Sequence, residues 1–179
     1  FFNYCLAKEM GLIPASHQEK MDKELENKLL ETFGIVIINE FDQMNGKRFS
    51  KKDLKPGKYM ATRYLQLQHE DKTGRTSGDG RSIWNGQIKH KGATWDISSC
   101  GTGATALSPA TAKHNRFFET GDPTISYGCG YAELDEGLST ALFSDIFHRN
   151  KISTEQTLCV IEYEKNYSIN VRAHGSLFR

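Results

Sequence analysis

No apolar run in this sequence approaches the length needed to cross a bilayer. Nothing at its start has the basic-then-apolar pattern of a targeting segment. No membrane partner is expected, and the expected location is cytoplasmic, of bacterial type, or organellar. The chain opens Phe1-Phe2-Asn3-Tyr4 without an initiator methionine, which reads as a fragment start. Its four cysteines (Cys5, Cys100, Cys129, Cys159) are far apart and form no C-x-x-C pair, so reduced thiols are expected rather than a disulfide framework. The six histidines show neither H-x-x-x-H nor Cys/His ligand spacing, which argues against a built-in zinc site. Lys plus Arg (23) nearly cancels Asp plus Glu (22), leaving a net charge of +1. Without a global positive field, nucleic acid is not an expected partner, and any anion site must be local. There are no internal repeats and no low-complexity tract.

The 179 residues suffice for one domain or one lobe of a larger fold. Hydrophobic residues make up 37%, slightly low for a self-contained domain and compatible with one that continues elsewhere. Over His17 to Phe33, Met21, Leu25, Leu29, Leu30 and Phe33 recur at helical spacing. The β-branched run Ile35 to Ile38 suits a buried strand, and Tyr59 to Gln68 a half-exposed one. The polar, glycine-rich stretch His69 to Gly80 reads as a loop. A hairpin follows, Ser82 to Lys89 and Thr94 to Ser99, turning near Lys91-Gly92. Cys100 to Gly130 is rich in Gly, Thr, Ser and Ala and reads as a long loop with one short helical turn. Tyr131 to Asn150 is the clearest helix, with Leu134, Leu138, Ala141, Leu142 and Ile146 on one face. Two strands, Thr157 to Tyr163 and Ser168 to Arg172, complete an α+β order of hairpin, loop, long helix, hairpin.

Four segments carry candidate chemistry. In Ser77-Gly78-Asp79-Gly80-Arg81 the glycines permit close backbone approach and Arg81 offers a fork suited to phosphate. Taken alone, the motif also fits a tight turn with a surface arginine. Cys100-Gly101-Thr102-Gly103 follows a strand, but no lysine stands at Walker spacing, so the P-loop reading fails. As a nucleophile, Cys100 would need His90, His114 or His174 beside it; the bland alternative is a small buried residue at a strand end. Gly128-Cys129-Gly130 opens the long helix, where free N–H groups favour an anion; the alternative is a flexible exit that lets the helix begin. Arg172 and Arg179, seven residues apart, flank His174 and Gly175. By default such arginines are solvated surface charges.

Together these blocks resemble the SelO (YdiU-like) family of pseudokinase-like protein adenylyltransferases. Ser77-Gly-Asp-Gly-Arg-Ser82 is similar to its GDGR block, and Trp95 to Ser108 to its tryptophan–aspartate strand running into a Gly-x-Gly loop. Gly128 to Thr154 resembles its second glycine block and long helix, and Arg172-Ala-His-Gly-Ser-Leu-Phe-Arg179 its paired-arginine segment. The resemblance runs from Tyr59 onward and leaves residues 1–58 as an N-terminal extension. It implies a protein-kinase-like fold, with residues 59–179 supplying mainly the N-terminal lobe of antiparallel hairpins and a long helix. It implies ATP binding and AMP transfer to Ser, Thr or Tyr hydroxyls of protein substrates. Gly78, Gly80, Arg81, Gly130, Arg172 and Arg179 match the family's nucleotide-contact positions. The family's lysine falls at Cys100, its partner glutamate at Thr140, and the Asp and Arg of the second glycine block at Cys129 and Tyr131. Lys89, Lys91 or Lys113 and Glu136 are the candidate replacements for the lysine and glutamate. The family's Asn and Asp ligands for Mg²⁺ are expected beyond Arg179. An inactive nucleotide-binding or interaction module is the alternative.

Overall fold

The computed structural model describes residues 1–50, 64–66, 75–77, 80–125, 130–163 and 167–176. The chain is α+β and divides into two compact units. One comprises Phe1–Ile35, Asn85–Cys100 and Ala132–Arg179, the other Val36–Trp84 and Gly101–Tyr131. Each is described by itself.

The first unit holds the principal core. Strand β3 (Ser82–His90), which begins in the other unit's range, turns into β4 (Ala93–Cys100) through Lys91 (φ 48°) and Gly92 (φ 82°). Positive φ at both central residues is the twist-matched two-residue hairpin turn, as the sequence predicts. After β5 (Ala132–Glu133), helix α5 (Leu134–Arg149) leads to β6 (Gln156–Tyr163) and β7 (Tyr167–Ser176). β7 is the hub of a five-stranded sheet. Antiparallel β6 pairs along Tyr167 to Ala173, while β4 pairs along Asn170 to Ser176 and β5 at Tyr167 and Ser168. These overlaps place β4 and β5 end to end on one edge of β7 and β6 on the other, because a strand has only two edges.

Side-chain alternation splits this sheet into two chemically different faces. Ile169, Val171 and Ala173 of β7 join Trp95, Ile97, Leu158 and Cys159 in the apolar core. Helix α1 (Tyr4–Glu9) adds Leu6 and Ala7 and is capped by Asn3, whose side chain accepts from the Leu6 amide at 3.0 Å. The sequence gives α1 little periodicity to detect, since it has only six residues. Residues just before it pair with β6, Asn3 N donating to Leu158 O (2.8 Å) and Val160 N to Phe1 O (3.0 Å).

Helix α2 covers Lys23–Phe33 rather than starting at His17. Asp22 accepts from the Leu25 amide at 2.8 Å, a side-chain cap that sets the boundary. Leu25, Leu29 and Phe33 face the core, while Met21 and Leu30 are exposed.

Helix α5 also departs from its expected packing. Its buried residues are Gly137, Ala141 and Ser144, whereas Leu138, Leu142 and Ile146 remain exposed. The sheet selects the small side chains: a β-carbon at Gly137 would lie 3.0 Å from Val160 Cγ1 and 3.1 Å from Ser168 Oγ. Ser144 Oγ donates to Ala141 O (3.0 Å) and accepts from Thr157 N (3.3 Å), satisfying polar atoms at the contact.

Ile35 closes a segment of the first unit and Val36 to Ile38 open the second; none of the four forms a strand, although Ile37 N donates to Thr102 O at 2.7 Å. Ile37 is buried and Val36 exposed, so this stretch alternates like a strand while its partner is a loop. Helix α3 (Glu40–Met44) follows, and β1 (Tyr64–Gln66) pairs antiparallel with β2 (Arg75–Ser77). β1 lies inside the expected Tyr59 to Gln68 strand, whereas β2 falls in the expected loop; the rest of those segments lies outside the described residues. The one expected helical turn in the long Gly-rich segment is α4 (Pro109–His114).

Candidate functional site

Three glycine blocks, distant in sequence, converge in the second unit. Arg81 O accepts from the amides of Gly101 (2.9 Å) and Thr102 (3.2 Å). Thr105 N donates to Gly80 O (2.8 Å), and Gly103 N to Gly130 O (2.9 Å). Arg81 Nη1 closes the knot by donating to Tyr131 O at 3.1 Å. Gly80 (φ 79°) and Gly130 (φ 95°) occupy backbone that disfavours L side chains. A β-carbon at Gly80 would overlap Ser108 Cα, and one at Gly130 would overlap Ala104 N. Both are needed because backbone meets backbone there.

This geometry decides what the Gly-x-Gly segment can offer. Ala104 N donates to Thr120 Oγ1 at 3.1 Å, so each amide from Gly101 to Thr105 has an acceptor within the protein. Amides already engaged in this way do not form a vacant anion cradle. Among these described groups, the charged one beside the knot is the Arg81 guanidinium.

Asn39 is the support that motif reading missed. Its buried Nδ2 donates to Ala104 O (3.0 Å) and Phe118 O (2.9 Å), tying the glycine segment to a later loop. Its Oδ1 accepts from Asp42 N (3.0 Å) while Asp42 Oδ2 accepts from Asn39 N (3.3 Å), a reciprocal cap on α3. The Asn-x-x-Asp spacing was the available signal. Lys47 Nζ lies 3.1 Å from Asp42 Oδ1 and 3.2 Å from Glu119 Oε1. The Asp42 hydrogen bond, with help from Glu119, outweighs partial burial and raises the Lys47 pKa above the ordinary lysine value.

Arg172 lies in the first unit, on the polar face of β7 with Asn170 and His174 at alternate positions. Glu155 bridges two of them, accepting from Arg172 Nη1 at 2.9 Å and lying 2.9 Å from His174 Nε2. Burial pushes the Glu155 carboxyl up, but the His174 hydrogen bond and Arg172 charge together outweigh it and hold the group below the usual glutamate range. Arg172 is thus oriented by a carboxylate with which an arriving anion would compete. Glu155 sits in irregular backbone after Thr154 and carried no sequence signal. Asn170 is buried, and among the described residues neither atom of its amide has a hydrogen-bond partner.

The same unit holds an open pocket of about 320 Å³, with Trp95 and Gly175 on its lining beside Glu9, His148, Lys151 and Thr154. It is mixed in charge and selects no obvious ligand class.

Cys100 is buried at the end of β4, opposite Asn170. His174 is opposite Asp96, roughly 13 Å away along the strand, and His90 is at the turn end of the hairpin. Neither is placed as a base for Cys100. Thr140 Oγ1 donates back to Glu136 O at 2.8 Å. Lys89 is on β3, Lys91 in the hairpin turn and Lys113 on α4. Gly78, Cys129 and Arg179 lie outside the described residues. Among the described residues, no three His, Cys, Asp or Glu side chains form a group able to hold a metal ion. No helix there is long and apolar enough to cross a membrane. Comparison with protein-family models, curated proteins and solved structures gives no significant match.

Proposed function

We propose that this chain is the ATP-binding part of a SelO-like protein adenylyltransferase, with its sheet and α5 corresponding to the N-terminal lobe of a kinase-like fold. The observation carrying this reading is the knot that gathers Gly80, Arg81 and Gly130 and joins Arg81 to Tyr131 O. These are three of the positions at which the family resemblance expects nucleotide contact. The α+β order of hairpin, long helix and hairpin is compatible with the same assignment.

The fit to a triphosphate is uneven. Arg81 in the second unit and Arg172 in the first each carry a guanidinium group of the kind that suits phosphate oxygens. The engaged amides of Gly101 to Thr105 do not supply a cradle, and Glu155 opposes an anion beside Arg172. Bound ATP would supply the AMP group, transferred to a protein Ser, Thr or Tyr hydroxyl with pyrophosphate leaving. Mg²⁺ would offset phosphate charge, with its ligands expected outside this chain. In this reading the chain's own arginines bind and orient, and the location is cytoplasmic or organellar.

An inactive nucleotide-binding or interaction module is favoured by a specific pair of substitutions. In the proposed alignment Cys100 and Thr140 stand where the family has its lysine and glutamate, and Cys100 is buried. Transfer of labelled AMP by the longest natural form, measured beside ATP affinity by calorimetry, separates the two. Binding with transfer supports the enzyme; binding without transfer supports the nucleotide-binding module; no binding removes both of these and leaves only an interaction module.

A further inference from the structure

Helix α5 presents its large apolar residues away from its own sheet. At about 100° per residue, buried Gly137, Ala141 and Ser144 cluster on one side of the axis. Leu138, Leu142, Phe143, Ile146 and Phe147 centre on the opposite side and are all exposed. Leu142 is 60% and Phe143 54% exposed, while the rings of Phe143 and Phe147 lie 6.3 Å apart as a single ledge. Five such side chains offer a contiguous patch on the order of a few hundred Å², the size that marks an interaction surface rather than scattered exposure.

The order of residues along this face is self-complementary. The helix begins with Asp135 and Glu136 and ends with His148 and Arg149, followed by exposed Lys151. Laying a second copy alongside in the opposite direction brings its basic end to the first copy's acidic end. With the two-fold axis passing between Leu142 and Phe143, each of those residues faces its own symmetry mate across the axis. Exposed Ser139 then faces the second copy's Ile146 at the centre of the contact, and exposed Asp135 lies on the same flank as the second copy's Arg149. Parallel pairing would set acid against acid and base against base. Arg149 Nε already lies 2.8 Å from Asp145 Oδ2 within its own helix. The charged ends therefore select orientation, and the apolar centre supplies the attraction.

We propose that this face is a homodimer interface in which two α5 helices pack antiparallel across a two-fold axis at Leu142 and Phe143. The symmetry operation closes the contact, so the product is a dimer and not a filament.

Sedimentation velocity of the 179-residue chain between about 1 and 100 µM tests the assembly directly. A reversible monomer–dimer equilibrium is expected. Leu142→Glu and Phe143→Lys should each weaken it by at least about ten-fold with unchanged far-ultraviolet circular dichroism, because both positions are exposed. Orientation is read by disulfide trapping in a background carrying Cys5→Ser and Cys129→Ser. Ser139→Cys mixed with Ile146→Cys should cross-link, whereas Ser139→Cys alone should not. In the antiparallel register its two copies are separated by roughly 10 Å along the axis, beyond disulfide reach. A monomer at every concentration, or a dimer unaffected by either charge substitution, overturns the proposal. Self-cross-linking of Ser139→Cys would replace it with a parallel contact.

Discussion

Arg81 reaches across fifty residues of chain to donate from Nη1 to the carbonyl of Tyr131, at 3.1 Å. The bond joins the first glycine block to the residue following Gly130. Arg81 is consequently both a candidate phosphate contact and a structural tie, and its two roles have separable consequences. Arg81→Ala should weaken ATP binding by about 1–3 kcal/mol, the scale of a lost charge-assisted contact. It should also cost about 1 kcal/mol of stability through the lost bond to Tyr131. Calorimetry beside urea denaturation reads both effects. Unchanged affinity in a destabilised variant would leave Arg81 as a tie alone.

Gly80 and Gly130 predict a different pattern. Each combines positive φ with a backbone neighbour where a β-carbon would stand. Gly80→Ala and Gly130→Ala should each destabilise the protein by about 3 kcal/mol or more. Denaturant midpoints within experimental error of the parent would contradict this packing.

Glu155 makes a pH prediction of definite sign. Its folded pKa is depressed, so its contribution to stability is present above the unfolded value near 4.3 and is lost as pH falls through the folded value. Glu155→Gln should cost about 1–3 kcal/mol at neutral pH by leaving Arg172 without its carboxylate. The variant should show a shallower loss of stability below about pH 4.5 than the parent. Parallel acid-unfolding curves would separate Glu155 from that transition.

The thiols should divide by burial. Cys5 is exposed, Cys100 and Cys159 are buried, and burial pushes the Cys159 thiol up to about 12. A thiol reagent at neutral pH should label Cys5 in the native protein and reach Cys159 only on unfolding. Cys100→Ala should preserve ATP binding. Loss of transfer in that variant with binding intact would restore Cys100 as a candidate nucleophile.

Legibility followed the locality of each signal. Lys91-Gly92 identified its hairpin because a two-residue turn carries its own backbone requirement. The last two strands were visible as β-rich runs. Helix α5 was visible from its period, but the side facing the sheet was not: apolar periodicity marks a buried face only when burial comes from large side chains. Here the contact is made by Gly137, Ala141 and Ser144. Ile35 to Ile38 had strand composition but met a loop at Thr102, which composition cannot reveal. Around Arg81, the sequence marked the glycines, whereas their convergence and the capture of the Gly101 to Thr105 amides are long-range facts. Glu155 was hidden because a single glutamate after Ser-Thr has no distinguishing pattern.

The position of β7 also dictates an order of assembly. It is the last described strand to leave the ribosome, yet β4, β5 and β6 all depend on it for pairing. Until it emerges, the β3–β4 hairpin has an unused hydrogen-bonding edge and α5 has only part of its sheet. Pairing between Trp95 and Gly175 closes eighty residues of chain in one step. Such long-range closure slows folding and prolongs exposure of the edges to other chains. Nascent chains halted before Tyr167 should therefore be held by chaperones or aggregate, while those carrying β7 clear of the exit tunnel complete the sheet.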